Sequence, residues 1–274
     1  MPEVAMNLFY REAGRGETVV ILHGLYGCSD NWVSIARKMA DRYRVISVDL
    51  RNHGSSPNAP THTYSDMVTD VAWLFHELSI ERAHIIGHSM GGKVAMAFAA
   101  DYPEMVKSLA VADIAPKNYL LLPPATSQFE NHTLILETLS ELDLTKFETR
   151  KEIEYELREK ITDPGVASFI LKNLKRGSKG FEWKINVPVL KEYLPRIIGG
   201  IDYPYFNERL PITGFPVLFI KGESSTYILD EDLPLIRKVY PEVKFEIIKG
   251  ATHFLHAEKP DEFLHYYLSF LNEY

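Results

Sequence analysis

The chain predicts an α/β fold: a mainly parallel, twisted sheet flanked by helices. Two observations carry that prediction. Short apolar or β-branched runs alternate with helical stretches, as expected of a parallel sheet covered on both faces. One such run also turns straight into a helix through the glycine-flanked bend Gly87-His88-Ser89-Met90-Gly91.

Taken in order, residues 4–10 suit an extra edge strand, paired in a hairpin with the residues entering Thr18. The core strands are expected at 18–22, 44–50, 83–87, 108–114, 216–221 and 243–249, with helices at 30–40, 65–78, 92–101, 230–239 and 260–271. Ser65 has the residue type of an N-cap, and Pro103 suits a stop after the third of these helices.

Between Lys117 and Pro211 the strand-like runs cease. Helices are expected there at 128–142, 146–161, 164–175 and 187–198. Thr145 with Glu148 fits a capping box, and Asp163-Pro164 fits an N-cap followed by proline at the first helical position. The reading is a helical lid (cap), 117–211, inserted into a core made of 1–116 and 212–274. Glu154/Arg158 and Glu156/Lys160 stand at i,i+4 spacing, which marks a solvated helix face and carries no ligand role.

Composition narrows the function. The net charge of −7 comes from mixed-sign sequence with no basic block to neutralise phosphates, which argues against a nucleic-acid partner. The single cysteine, Cys28, excludes an internal disulfide and reads as a small loop residue. No apolar run is long enough to span a membrane and residues 1–11 lack a signal-peptide core, so the expectation is a soluble, cytoplasmic protein.

In open α/β sheets ligands bind beyond the C-terminal ends of the strands, where Ser89, Asp113 and the loop after Leu22 all fall. A sharp strand-to-helix turn lifts the Ser89 hydroxyl clear of the sheet and aims helix N-terminal amides at the same point. A serine hydroxyl needs a base. His253, in the loop Gly250-Ala251-Thr252-His253 after the last strand, is best placed to act as one. His88 reads as packing or tuning the bend, His23 as supporting its loop, and His76, His84 and His265 as ordinary element residues. No histidine pair has metal-site spacing, and no metal or cofactor is expected.

The segment Asp49-Leu50-Arg51-Asn52-His53-Gly54-Ser55-Ser56-Pro57, with His23-Gly24-Leu25 before it and Asp113-Ile114-Ala115-Pro116 after it, gives the chain a specific likeness. It resembles the α/β-hydrolases and is similar to their YbfF-type esterase subgroup. That resemblance implies a serine hydrolase cleaving small to medium carboxylic esters, or thioesters, through an acyl-enzyme on Ser89, without a cofactor. Cleavage of a carbon-carbon bond in a β-diketone-like substrate is the alternative, and a non-catalytic small-molecule receptor is a further one. Residues 49–57 themselves read as a rigid turn.

The triad acid is the open point. Most α/β-hydrolases place it after the strand matching 216–221, in a Gly-x-x-Asp turn, whereas this chain has Gly222-Glu223-Ser224-Ser225. Serine cannot hold a negative charge against an imidazolium. Asp113, the position the resembling subgroup is expected to use, is the preferred acid, with Glu223 the alternative. The oxyanion hole is expected from the backbone N–H groups of Leu25 and Met90. Leu25, Tyr26 and Met90 are expected to line an apolar acyl pocket, closed by Phe181 and Trp183.

Overall fold

The computed structural model describes residues 5–123, 128–178, 180–201 and 206–274. Strands β1 (Tyr10–Ala13), β2 (Glu17–Leu22), β3 (Tyr43–Val48), β4 (Ala83–His88) and β5 (Val106–Ala112) precede a two-stranded antiparallel hairpin, β6 (Leu174–Gly177) with β7 (Gly180–Trp183). Strands β8 (Val217–Gly222) and β9 (Lys244–Ile248) follow. All but the hairpin form one seven-stranded sheet in the order β1-β3-β2-β4-β5-β8-β9.

Successive side chains of a strand face opposite sides of its sheet. Val20, Leu22, Ile85, Leu109, Val111 and Phe219 therefore enter one apolar cluster, while Val19, Ile21, Ile86, Ala110, Ala112 and Ile220 enter the other. Helices α1 (Val33–Met39) and α9 (Pro260–Leu271) cover the second cluster, through residues such as Ile35, Met39, Phe263 and Tyr267. Helices α2 (Tyr64–Glu77), α3 (Met90–Asp101) and α8 (Leu233–Val239) cover the first. With both faces dry, the strands read as near-continuous apolar sequence, which is why they could be located before folding was known.

The edge strand departs from expectation. Residues 5–9 are not strand; the edge strand is β1, and it pairs antiparallel with β3 rather than in a hairpin with β2. Tyr10 stands opposite Val48 and Ala13 opposite Val45, while β3 also pairs in parallel with β2. The chain thus leaves the sheet edge, skips over β3 and enters the interior.

Between β5 and β8 lie the hairpin and helices α4 (Gln128–Glu141), α5 (Arg150–Lys160), α6 (Pro164–Leu171) and α7 (Val187–Ile198). Residues 172–175, expected to extend α6, instead leave the helix and start β6. The capping box also lies one turn later than expected. Asp143 caps a short turn at Leu144–Lys146, and Thr149 with Glu152 forms the box that starts α5. Asp163 caps α6 as expected, accepting from Gly165 N and Val166 N. In α2 the cap is Thr63, two residues before Ser65, paired with Asp66. Among the described residues no helix is long and apolar enough to cross a membrane.

A buried ion network closes the space under the β3–α2 loop. Arg51 is 3% exposed and grips Asp70 with two bonds, 2.6 and 2.9 Å, while Asp66 Oδ1 lies 3.1 Å from its other terminal nitrogen. Asp70 also accepts from Met6 N, which ties the N-terminal segment to α2. Removing one partner of a buried pair strands the other charge, so Asp70→Ala should lower the unfolding free energy by about 3–5 kcal/mol. Urea denaturation measures this, and a loss below about 1 kcal/mol would show that water reaches Arg51.

Candidate active site

The bend between β4 and α3 can be made only from these residues. Ser89 adopts φ 52° and ψ −120°, a positive φ that non-glycine side chains rarely take. A methyl group on Gly87 would fall 2.4 Å from Gly91 O, and one on Gly91 would fall 2.4 Å from Leu22 O. Both neighbours must be glycine for the turn to be this tight. Ser89 N donates to Ala112 O at 3.0 Å, which holds the serine against the end of β5.

One residue beyond that carbonyl is Asp113, also at positive φ, 53°, and fully buried. Its own N–H continues the ladder to Ile220 O of β8 at 2.9 Å. Asp113 Oδ2 accepts from His253 Nδ1 at 2.8 Å and from the Ser225 hydroxyl, while Oδ1 accepts from Gly222 N at 3.1 Å. A carboxylate with these donors holds the Nδ1 proton in place and leaves His253 Nε2 free to accept one. Glu223, the alternative acid, is exposed and accepts from Gly250 N.

Two further contacts fix His253. The Tyr227 ring stacks on it with centroids 3.6 Å apart and planes 14° from parallel. His88 Nε2 donates to the His253 carbonyl at 2.8 Å. Burial, with His256 and His253 nearby, holds His88 well below the usual imidazole range, so it is a neutral anchor for the loop.

The loop after β2 comes against the serine from the other side. A methyl on Gly24 would meet Ser89 Cβ at 3.1 Å. Tyr26 takes φ 63°, and its N–H is directed to His53 Nε2 at 3.3 Å. The N–H groups of Leu25 and Met90 have no acceptor among the described residues. Behind the loop stands a row of buried histidines. His23 donates from Nδ1 to Gly24 O and accepts from Leu50 N at Nε2; His53 donates from Nδ1 to Arg51 O. The His23 and His53 rings are 5.0 Å apart, and His62 lies 5.4 Å beyond, its Nε2 3.4 Å from Met90 Sδ.

Ser89 and His253 both line a cavity of about 520 Å³, with no hydrogen bond between them among the described residues. Such contacts often close only around substrate. Tyr26, His132 and Tyr227 line it too, with an apolar wall from Ile135, Val166, Phe169 and Ile170. A recess of about 20 Å³ adjoins it, sharing Ser89, Leu25, Gln128, His132 and Tyr227 and bounded otherwise by residues that include Met90, Ile114, Tyr119, Ile198 and Lys93. Lys93 Nζ donates to the carbonyls of Ile197, Ile198 and Gly199, and burial, with Lys117 nearby, draws its pKa down to about 7.

Phe181 and Trp183, expected to close the pocket, line neither space. They lie on β7 and pack against the larger apolar cluster, because the hairpin directs them inward. No residue of 49–57 lines either space. Asp49 instead accepts from Ser29 N and Ser55 N, which holds that segment as a turn.

The profile of the alpha/beta hydrolase fold family matches residues 17–260. The chain belongs to the α/β-hydrolase family. Among relatives of this α/β-hydrolase, the sn-1-specific diacylglycerol lipase ABHD11 of Danio rerio is 35% identical over 94% of this chain and 80% of that protein. Esterase YbfF of Escherichia coli strain K12 is 33% identical over 93% of both chains. The solved structure of a marine microorganism esterase superposes with a TM-score of 0.91 at 40% identity, covering 97% of this chain and all of that one.

Sequence reasoning brought Ser89, Asp113, His253, Leu25, Met90 and Tyr26 to one place in this α/β-hydrolase. It missed Ser225 as a partner of Asp113, Tyr227 as the platform under His253, and His132, whose ring nitrogens lie 3.3 and 3.1 Å from the Tyr26 and Tyr227 hydroxyls. The signal for Ser225 was present. It occupies the position where the family's acid usually stands, so a hydroxyl there falls beside whatever acid replaces it.

The histidine row predicts acid sensitivity. Burial pushes His23 to about 4 and His53 to about 3, below the ordinary 6.5, so the folded chain refuses protons that the unfolded chain binds. Their contribution to stability is complete above about pH 6.5 and falls as acidity increases toward pH 4, by up to about 1.4 kcal/mol per pH unit for each ring. Urea unfolding across that range should show a steep loss; an unchanged midpoint would mean that these rings are not held neutral.

Proposed function

We propose that the chain is a carboxylic ester hydrolase working through an acyl-enzyme, with Ser89 as nucleophile, His253 as base and Asp113 as orienting acid. The observation that carries this reading is the 2.8 Å bond from His253 Nδ1 to buried Asp113, in a loop that shares its cavity with the positive-φ serine. The esterase and diacylglycerol lipase names of its relatives point to the same chemistry.

In this mechanism Ser89 Oγ attacks the ester carbonyl as His253 Nε2 takes its proton. The carbonyl oxygen gains negative charge between the N–H groups of Leu25 and Met90, which have no competing acceptor among the described residues. His253 then donates the proton to the departing alkoxide as the C–O bond breaks. Water, deprotonated by the same nitrogen, releases the acid and restores the serine. Asp113 keeps the imidazole in the tautomer these steps require, and its bonds from Ser225 and Gly222 keep the carboxylate aimed. Segment 117–211 acts as the lid, since His132 on α4 and Phe169 on α6 face the serine across the cavity.

Asp113→Asn should lower turnover of a p-nitrophenyl ester by about 10⁴-fold while circular dichroism stays native. Glu223→Gln should leave turnover near normal. The reverse pattern would move the acid to Glu223. A fluorophosphonate probe should label the protein rapidly and Ser89→Ala not at all; equal labelling of both would remove Ser89 as nucleophile.

A further inference from the structure

We propose that this site cleaves esters whose acyl group is acetyl-sized and whose bulk lies in a neutral, aliphatic alcohol. The inference rests on the reading of Ser89 and His253 given above and deepens it. It comes from the two unequal spaces that meet at the serine.

A carbonyl carbon attacked by Ser89 carries three other groups: the oxygen, the acyl chain and the leaving alcohol. The oxygen goes to the amides of Leu25 and Met90. The leaving alcohol must face His253, which protonates it. Of these two spaces His253 lines the 520 Å³ cavity and not the recess, whereas Ser89 lines both. The alcohol therefore occupies the large cavity, and the acyl chain is left with the 20 Å³ recess. One water needs about 10–15 Å³ measured in this way, so the recess holds a methyl group and little more.

The recess cannot deepen without a penalty. Lys93 lines it, and its Nζ is already engaged with three carbonyls at the end of α7 and faces the Tyr119 ring at 4.9 Å. Pushing it aside would leave a buried amine donor without acceptors. Tyr119 is 2% exposed, with its hydroxyl donated to Tyr227 O, so that wall is fixed as well.

The large cavity selects the alcohol. Its apolar wall suits an alkyl chain, and Asp163 and Glu258 supply carboxylates at its polar side. No lysine or arginine lines it among the described residues. A leaving group bearing phosphates, such as a coenzyme A thiol, meets like charge there.

Two isomeric esters separate the orientations: hexyl acetate and ethyl hexanoate have the same atoms and reversed acyl and alcohol bulk. We expect kcat/KM at least about tenfold higher for hexyl acetate, the discrimination that misfit by one or more methylenes produces. Equal rates, or faster cleavage of ethyl hexanoate, would overturn the assignment of the recess. Acetyl-coenzyme A should be a poorer substrate than hexyl acetate; the opposite order would overturn the neutral-alcohol half. Ile114→Ala and Ile198→Ala widen the recess and should raise kcat/KM for hexyl butanoate relative to hexyl acetate. An unchanged ratio in both folded variants counts against the recess as the acyl site. Fluorophosphonate labelling of Ser89 runs alongside. Labelling with the wrong ester preference refutes this inference alone, whereas no labelling and no turnover of any ester refutes the hydrolase reading beneath it.

Discussion

Parallel pairing of β4 with β5, and of β5 with β8, is the constraint on which the site depends. His88 stands opposite Ala112, and Ala112 opposite Ile220. Strands β4 and β5 consequently end at one level, two residues before the end of β8; the next residues out are Ser89 and Asp113, and the end of β8 and its following turn bring Gly222 N and Ser225 beside them. The ladder itself continues past the strand ends, from Ser89 N to Ala112 O and from Asp113 N to Ile220 O. A slip of one residue in either pairing would turn the serine or the carboxylate to the opposite face of the sheet.

Around that edge the polar groups are placed before any substrate arrives. Asp113 is buried yet bonded by His253, Ser225 and Gly222. His53 occupies the Tyr26 amide while the Leu25 amide beside it has no acceptor among the described residues. Neutral histidines suit this task because each offers one donor and one acceptor without a charge to desolvate. Fixed dipoles need not reorganise when charge develops, which is where such sites gain rate.

What could be read beforehand depended on whether the deciding contacts were local. The buried strands announced themselves as apolar runs, and the bend at Ser89 as small residues around a serine. The partner of β1 could not be read, because adjacency along the chain favours a hairpin whereas the sheet places β3 between β1 and β2. The start of α5 was ambiguous: Thr145-x-x-Glu148 and Thr149-x-x-Glu152 satisfy the same capping pattern, and only packing chooses between them. The β6–β7 hairpin hid in charged residues, although Gly177 and Gly180 marked its turn. Aromatic identity suggested Phe181 and Trp183 as a pocket closure, whereas they are half-buried against the large apolar cluster; aromatic type carries no direction. Ser225 looked like a lost acid in one dimension. In three dimensions its hydroxyl donates to Asp113, the proposed acid.

Lys93 ties two parts of the molecule that are far apart in sequence. It sits one helical turn past Ser89 on α3, and its ammonium closes the last turn of α7. Lifting that turn would leave a buried amine without acceptors, so the end of α7 is clamped to the helix that follows Ser89. Any movement of the segment between β5 and β8 would therefore have to pivot about this contact beside Ser89, leaving the recess side of the site in place.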